Sequence, residues 1–429
     1  LDYRLFFYDV NKKDPAVFSK KEKILLGILA SVQFSSIVDF MIMMPLGPQL
    51  MRLFGITPHQ FGLLVSSYSF CAGLSGFTAS FFMDKFDRKN LLLFFFVGFS
   101  VGTVACALSP TYELLLLARG LTGVFGGVLS SLVLSIVSDA ISYERRGSAM
   151  GVIMTSFSVA SIFGVPFSLF LANEFSWHAP FLFLGITSLV LCVIAYFGVP
   201  STRSHLEHPR EKEAVYQGLV RIFKNRNQVR ALIFMSAVIF GHFAIVPYLS
   251  PSMVANAGLT EAQLPLIYMI GGLFTIFSSP AIGRMSDRYG KHKVFLYGAG
   301  LCTLPIFGIT HLGPSPVWFV LTVTSVFFVV SGGRMIPATA LVSGTASPQN
   351  RGSFMSIVSC VQQLSSALAS YLAGIIIVKS DAGRLDNYEI VGYISIGVTL
   401  LAIFLSRRIQ ATEGPKSSAP SEPIIAEAH

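Results

Sequence analysis

Charged residues are scarce in this chain: Asp, Glu, Lys and Arg make up 12% of its 429 residues, about half the share of an ordinary soluble domain. So few charges leave little material for the polar surface of a soluble domain. Cysteine is sparse too. Cys71, Cys106, Cys192, Cys302 and Cys360 all fall in apolar runs, with no C-x-x-C pair and no zinc spacing. They read as small core residues, not as a disulfide framework or a metal set. There is no Walker loop, no Rossmann glycine motif and no nucleophile elbow. Gly120-Leu-Thr-Gly123 lies inside an apolar run. No cofactor, metal or enzymatic centre is expected, and nucleotide is excluded as an energy source.

What is present is apolar length. Hydrophobic residues make up 53% of the chain, and about a dozen runs reach the roughly 17–25 residues that span a bilayer. The expected fold is all-α, with twelve transmembrane helices in two pseudo-symmetric six-helix bundles and the lipid bilayer as solvent. The first run, from about Ile24, is too long for a signal-peptide core and lacks a small-residue cleavage site, so it should remain as a helix. Because the chain begins with Leu1, one or more residues are expected to precede it.

The net charge of +9 points to topology, not to nucleic acid. Of the 31 Lys and Arg, 26 fall in the N-tail, alternate loops and the C-tail; Arg52, Lys379 and Arg384 lie on the other side, and Arg119 and Arg334 inside spans. By the positive-inside rule both termini are expected in the cytoplasm, and the short tails suggest a bacterial inner membrane.

The expected plan is an N-tail (1–23), a bundle (24–199), a linker (200–230), a second bundle (231–406) and a disordered tail (407–429). Spans are expected at about Ile24–Gly47, Gln60–Met83, Asn90–Ser109, Tyr112–Val137, Ser148–Ala172 and Ala179–Val199. The second set covers about Ala231–Ala255, Gln263–Met285, Val294–His311, Pro316–Gly344, Ser353–Val378 and Glu389–Ser406. Glu211–Phe223 in the linker reads as a surface helix. Landmarks recur at nearly one offset: Asp84 with Asp287, Gly126-Gly127 with Gly332-Gly333, Arg146-Gly147 with Arg351-Gly352. Such recurrence indicates a duplicated six-helix unit.

The segment Gly283-x-x-x-Asp287-Arg288-x-Gly290-Lys291 resembles the loop signature G-x-x-x-D-[RK]-x-G-[RK]-[RK] of the major facilitator superfamily. The first copy keeps Asp84, Lys85, Arg88 and Lys89 but has Ser80 and Asp87 where glycines are usual. Arg119-x-x-x-Gly123 with Gly126 and Gly127 is similar to the second family signature. Gly164-Val-Pro166 matches part of the antiporter signature, and Trp177-His-Ala-Pro-Phe181 resembles a W-R-x-x-F segment with His178 for Arg. The chain thus resembles the twelve-helix drug:proton antiporter and sugar-efflux branch. That resemblance implies a monomeric, alternating-access, proton-coupled exporter of a small organic compound (drug, sugar or metabolite). A proton-coupled importer or facilitator is the alternative, and a transporter-like receptor a third class.

Under this reading Asp84 and Asp287, flanked by Lys85, Arg88, Lys89, Arg288, Gly290 and Lys291, form paired gates. Asp84 would latch to the start of the eleventh helix and Asp287 to that of the fifth, since carboxylates are favoured at helix N-termini. The alternative is a solvated turn whose bases only set topology. Asp39 lies ~22 Å from one end of its span and Arg119 roughly 10 Å from the opposite end of its own. In a core of ~30 Å these depths nearly coincide. Buried charges at that depth mark proton relays or substrate paths; a permanent structural ion pair is the other reading. His242, near mid-membrane, is a proton or substrate candidate or a neutral core histidine. Arg334, between Gly333 and Pro337, either binds an anionic group or snorkels. Gln33, Tyr68, Gln362 and Gln363 are candidate cavity polar groups, and Gly123, Gly126, Gly127, Gly164 and Pro166 candidate helix-packing positions.

Overall fold

The chain enters its first helix through a reciprocal cap. Ser19 accepts from the Glu22 amide while the Glu22 carboxylate accepts from the Ser19 amide. Thr57 and Gln60 repeat this at the third helix, and Thr111 and Asn225 cap two more. Polar residues in the short gaps thus satisfy amide groups that the apolar runs leave open. The computed structural model describes residues 18–201, 215–347 and 351–410, without the side chains of Asp84, Tyr143, Glu144 and 215–219.

The helices of the first half are α1 (Lys20–Ile42), α2 (Gly47–Leu53), α3 (Pro58–Ala79), α4 (Arg88–Ala107), α5 (Tyr112–Ala140), α6 (Tyr143–Val159), α7 (Val165–Glu174) and α8 (His178–Gly198). The remainder are α9 (Val215–Lys224), α10 (Arg226–Phe243), α11 (Val246–Ala255), α12 (Leu264–Tyr289), α13 (Lys291–Thr310), α14 (Val317–Ser343), α15 (Arg351–Ile376) and α16 (Tyr388–Ser406). α6 with α7, and α10 with α11, each make one span. Among the described residues, eleven segments are long and apolar enough to cross a membrane. α15 is a twelfth of similar length, its apolar character diluted by Gln362, Gln363 and several serines. The result is two six-helix bundles. The face where α1 begins and α16 ends is called the terminal face below.

Several elements differ from the sequence-based expectation for identifiable reasons. The first span ends at Ile42, and the chain restarts as α2 with Pro48 in its first turn. The fifth contains a π-helical turn, Ala160–Gly164, just before Pro166. Proline lacks the amide for an α-helical bond, and a wider turn absorbs that loss. The seventh breaks at Ala244 and Ile245, ahead of Pro247. Two-residue strands, Val378–Lys379 and Leu385–Asp386, close a hairpin over Gly383 at φ +80°; strands this short leave no periodic signal. The expected linker helix begins at Val215, and 202–214, like the tails 1–17 and 411–429, lies outside the described residues.

Close helix contacts rest on missing side chains. A Cβ on Gly123 or Gly127 of α5 would run into the α3 backbone at Tyr68 or Ala72, and one on Gly298 of α13 into the α14 backbone at Gly333. Small residues let helices approach this closely.

The apolar core is arranged asymmetrically. One cluster, on the side away from the termini, includes Leu50, Phe61, Val165 and Trp177 of the first half together with Tyr248, Met253, Ile306 and Ala369 of the second. Toward the terminal face this gives way to two separate cores, one around Leu29, Phe96 and Leu132, the other around Phe234, Phe295 and Phe354. The halves are therefore sealed together at the far face and hold separate cores at the terminal face.

Candidate functional site

Asp39 and Arg119 meet in the first half. Arg119 Nη1 donates to Asp39 Oδ2 at 2.8 Å, and both side chains are at most 1% exposed. Thr103 of α4 donates to the other carboxylate oxygen, Oδ1, at 3.1 Å. The Tyr68 ring from α3 lies 4.5 Å from the guanidinium carbon, as in a cation–π contact. Four helices thus hold one acid and one base out of water. Such a pair needs good geometry to offset its desolvation, and loss of one partner strands the other.

Tyr68 starts a chain of ring contacts that crosses between halves. Its centroid is 5.5 Å from Phe40, which is 5.8 Å from Phe243 of α10. Phe243 leads to His242 at 5.3 Å, and His242 stacks on Phe327 of α14 at 5.9 Å and 10°. His242 Nδ1 has no hydrogen-bond partner among the described residues.

Arg334 is fully buried in the second half. Its Nη1 donates to Thr399 Oγ1 of α16 at 2.9 Å, while Nε and Nη2 have no partner among the described residues. Gly241 of α10 packs beside it: a Cβ there would lie at ordinary contact distance, 3.7 Å, from Nη1. The guanidinium thus stays inside the bundle, not snorkelled to a surface. Gln33 donates to Ser130 at 2.9 Å and leaves Oε1 unpartnered among the described residues. Gln362 and Gln363 are half-buried on α15, and Gln363 faces Gly73 of α3.

The two duplicated loops are built differently. Asp84 lies in a single 3-10 turn, Met83–Lys85, and its side chain lies outside the described residues. Asp287 is exposed and makes no hydrogen bond or ion pair among the described residues, with the fifth span or elsewhere, in this conformation. Lys85, Arg288 and Lys291 are exposed; Arg88 pairs with Asp139 at 2.6 Å, and Lys89 lies over the Tyr196 ring at 5.2 Å. Where the second copy has Gly290 at φ +94°, the first has Asp87 at φ −60°. Asp87 caps α4 by accepting from the Lys89 amide at 2.9 Å, and also accepts from the Ser201 hydroxyl. Ser80 bonds to Phe77 O at 2.6 Å and ends α3, whereas the second-half helix runs through Gly283 to Tyr289. Gly126 lies against the Tyr68 hydroxyl, and Gly164 of the π turn against Val38; Pro166 opens α7. His178 fixes the start of α8 through Nδ1 to Ala107 O at 2.5 Å.

A set of far-face residues escaped sequence reasoning. Arg52 of α2 forms an ion pair with Glu261 of the other half. Asn173 accepts from Gln49 at 2.8 Å and donates to the Glu261 carbonyl at 3.4 Å. Tyr248 donates within reach of Pro58 O at 3.0 Å and Ser370 O at 3.2 Å. The one available signal was Arg52, a base isolated on the charge-poor side.

The Major Facilitator Superfamily profile matches residues 29–343 and again 237–426. The chain belongs to this superfamily. Among relatives, the uncharacterized MFS-type transporter YceJ of Bacillus subtilis is 25% identical over 81% of this chain and 88% of its own length. A probable sugar efflux transporter of Helicobacter acinonychis is 22% identical over 56% of this chain and 60% of that protein. The fold is shared with a bacterial homolog of the human lysosomal transporter Spinster, solved inward-facing and unoccupied, at TM-score 0.75 and 14% identity, over 92% of this chain and 98% of that one. A D-xylose-proton symporter matches at TM-score 0.73 and 16% identity, over 91% and 98%. As a superfamily member the protein is a secondary transporter of a small organic molecule that works by alternating access, not a catalyst.

Proposed function

We propose that this superfamily member is a proton-coupled exporter in a bacterial inner membrane, with both termini cytoplasmic and the monomer as working unit. The carrying observation is the Asp39–Arg119 pair, whose acid also accepts from Thr103 and whose base lies over Tyr68. Tyr68 and Phe40 link the pair to the boundary between halves, so a change there can alter the acid's cationic partner, Arg119. Proton uptake on Asp39 would release Arg119, and proton loss would restore the pair. The probable sugar efflux relatives support outward transport. The halves are proposed as 24–199 and 231–406 with a 200–230 linker, the Asp84 and Asp287 loops acting as terminal-face gates in the other conformation. By the charge asymmetry the terminal face is cytoplasmic, so the face at which the two halves share one core in this conformation is the outer one.

The test is efflux from loaded proteoliposomes under an imposed proton gradient. A protonophore is expected to stop uphill efflux, and Asp39→Asn to abolish gradient-driven accumulation while inserting normally. Efflux indifferent to the protonophore would instead establish facilitated transport.

A further inference from the structure

The membrane-embedded interior does not balance its charge. In 231–406 the carboxylates are Glu261, Asp287, Asp381, Asp386 and Glu389, all at loops or helix ends. In the first half Asp39 is committed to Arg119. Arg334 therefore carries a buried positive charge with no acid beside it among the described residues, and one neutral hydrogen bond, to Thr399. An uncompensated buried ion is costly, and proteins retain such ions at functional sites.

The unmet donors have a specific geometry. Thr399 occupies Nη1, leaving Nε and Nη2. Those two N–H groups form the side-on edge of a guanidinium, which matches the two oxygens of a carboxylate in a planar bidentate pair. A single carboxylate also matches the single excess charge. His242, next to Gly241 on α10, supplies another buried nitrogen, Nδ1, without a hydrogen-bond partner among the described residues, its ring held against Phe327. The guanidinium is seated among α10, α14 and α16, with Gly241 of α10 and Thr399 of α16 against Nη1.

We propose that the transported compound is an organic acid whose carboxylate docks on the Nε–Nη2 edge of Arg334, with His242 beside it. This deepens the transporter reading and rests on it, but does not depend on the proton as coupling ion. Arg334 is sealed from solvent in the conformation described, so the carboxylate reaches it as the halves exchange positions.

The experiment is thermal unfolding of the purified full chain with benzoate, lactate and pyruvate, each beside its neutral amide, and with chloride and phosphate at equal ionic strength. At least one carboxylate is expected to stabilise the protein where its amide does not. Arg334→Gln should lose that shift. Arg334→Lys, which keeps the charge but not the fork, should fold normally and weaken the apparent affinity about tenfold. Equal stabilisation by chloride would make Arg334 a free inorganic-anion site and overturn the proposal. Stabilisation by amides as well as acids, an unchanged shift in Arg334→Gln, or no shift with any carboxylate would also overturn it. A carboxylate shift with protonophore-insensitive efflux leaves this inference standing and removes only proton coupling.

Discussion

Asp39 and Arg119 behave as one unit, and their energetics follow from burial on both sides of a 2.8 Å contact. Asp39→Asn keeps the shape and the chance of a bond with Thr103 but leaves Arg119 without its counter-charge. Breaking a buried pair in this way costs about 3–5 kcal/mol, whereas neutralising both partners costs far less. The Asp39→Asn/Arg119→Gln double variant is therefore expected to recover most of the thermal stability lost by either single one. Its gradient-driven transport should stay absent. Additive losses in a double-mutant cycle would show that the two side chains are not energetically coupled. Asp87 illustrates how a substitution within a recurring motif acts locally. Gly290 turns the second loop at positive φ, while Asp87 turns the first at ordinary φ and supplies the helix cap itself.

Helix pairs in each half are set by absent side chains. A methyl at Gly127 would collide with the Ala72 backbone, and one at Gly298 with the Gly333 carbonyl. Neither obstacle is a flexible side-chain end, so a helix must shift, and overpacking of this kind costs about 1–3 kcal/mol. Gly300, one residue beyond Ala299 on α13, has nothing within 4 Å of its would-be Cβ. Gly300→Ala is thus expected to be neutral or stabilising by roughly 0.5–1 kcal/mol, the usual helical gain over glycine. Melting of Gly127→Ala, Gly298→Ala and Gly300→Ala in detergent checks the contrast. Equal midpoints for all three would refute the close-approach explanation. The π turn before Pro166 and the break before Pro247 belong to the same scale, since each places a helix irregularity where proline removes a backbone donor.

Across the whole molecule, the ion pair between Arg52 and Glu261 ties the halves at the far face. Arg52 is 64% exposed, so the pair is worth at most about 1 kcal/mol. In a two-state equilibrium, however, that energy alters the populations about fivefold. Glu261→Arg is expected to favour opening at the far face, and adding Arg52→Glu should restore the original balance. Distances between spin labels placed on either side of that face would read the shift, and an unchanged distribution in Glu261→Arg would rule out a latch.

The number of spans, the six-helix duplication, the sidedness of charge and the similar depths of Asp39 and Arg119 were legible because each follows from local quantities: apolar length, rise per residue and bilayer thickness. Residues such as Tyr68 and Gln33 stood out as polar groups within apolar runs, but their partners did not. Contact between Arg52 and Glu261, the ring path from Tyr68 through Phe40 to Phe243, the cap made by Asp87 and the open edge of Arg334 were settled only in three dimensions. The local pattern says that a helix is apolar; it does not say which helix of the other bundle it will meet. That choice is made by side-chain shape across long sequence separations, and here it closes one face and, among the described residues, leaves the Nε–Nη2 edge of Arg334 open in the interior.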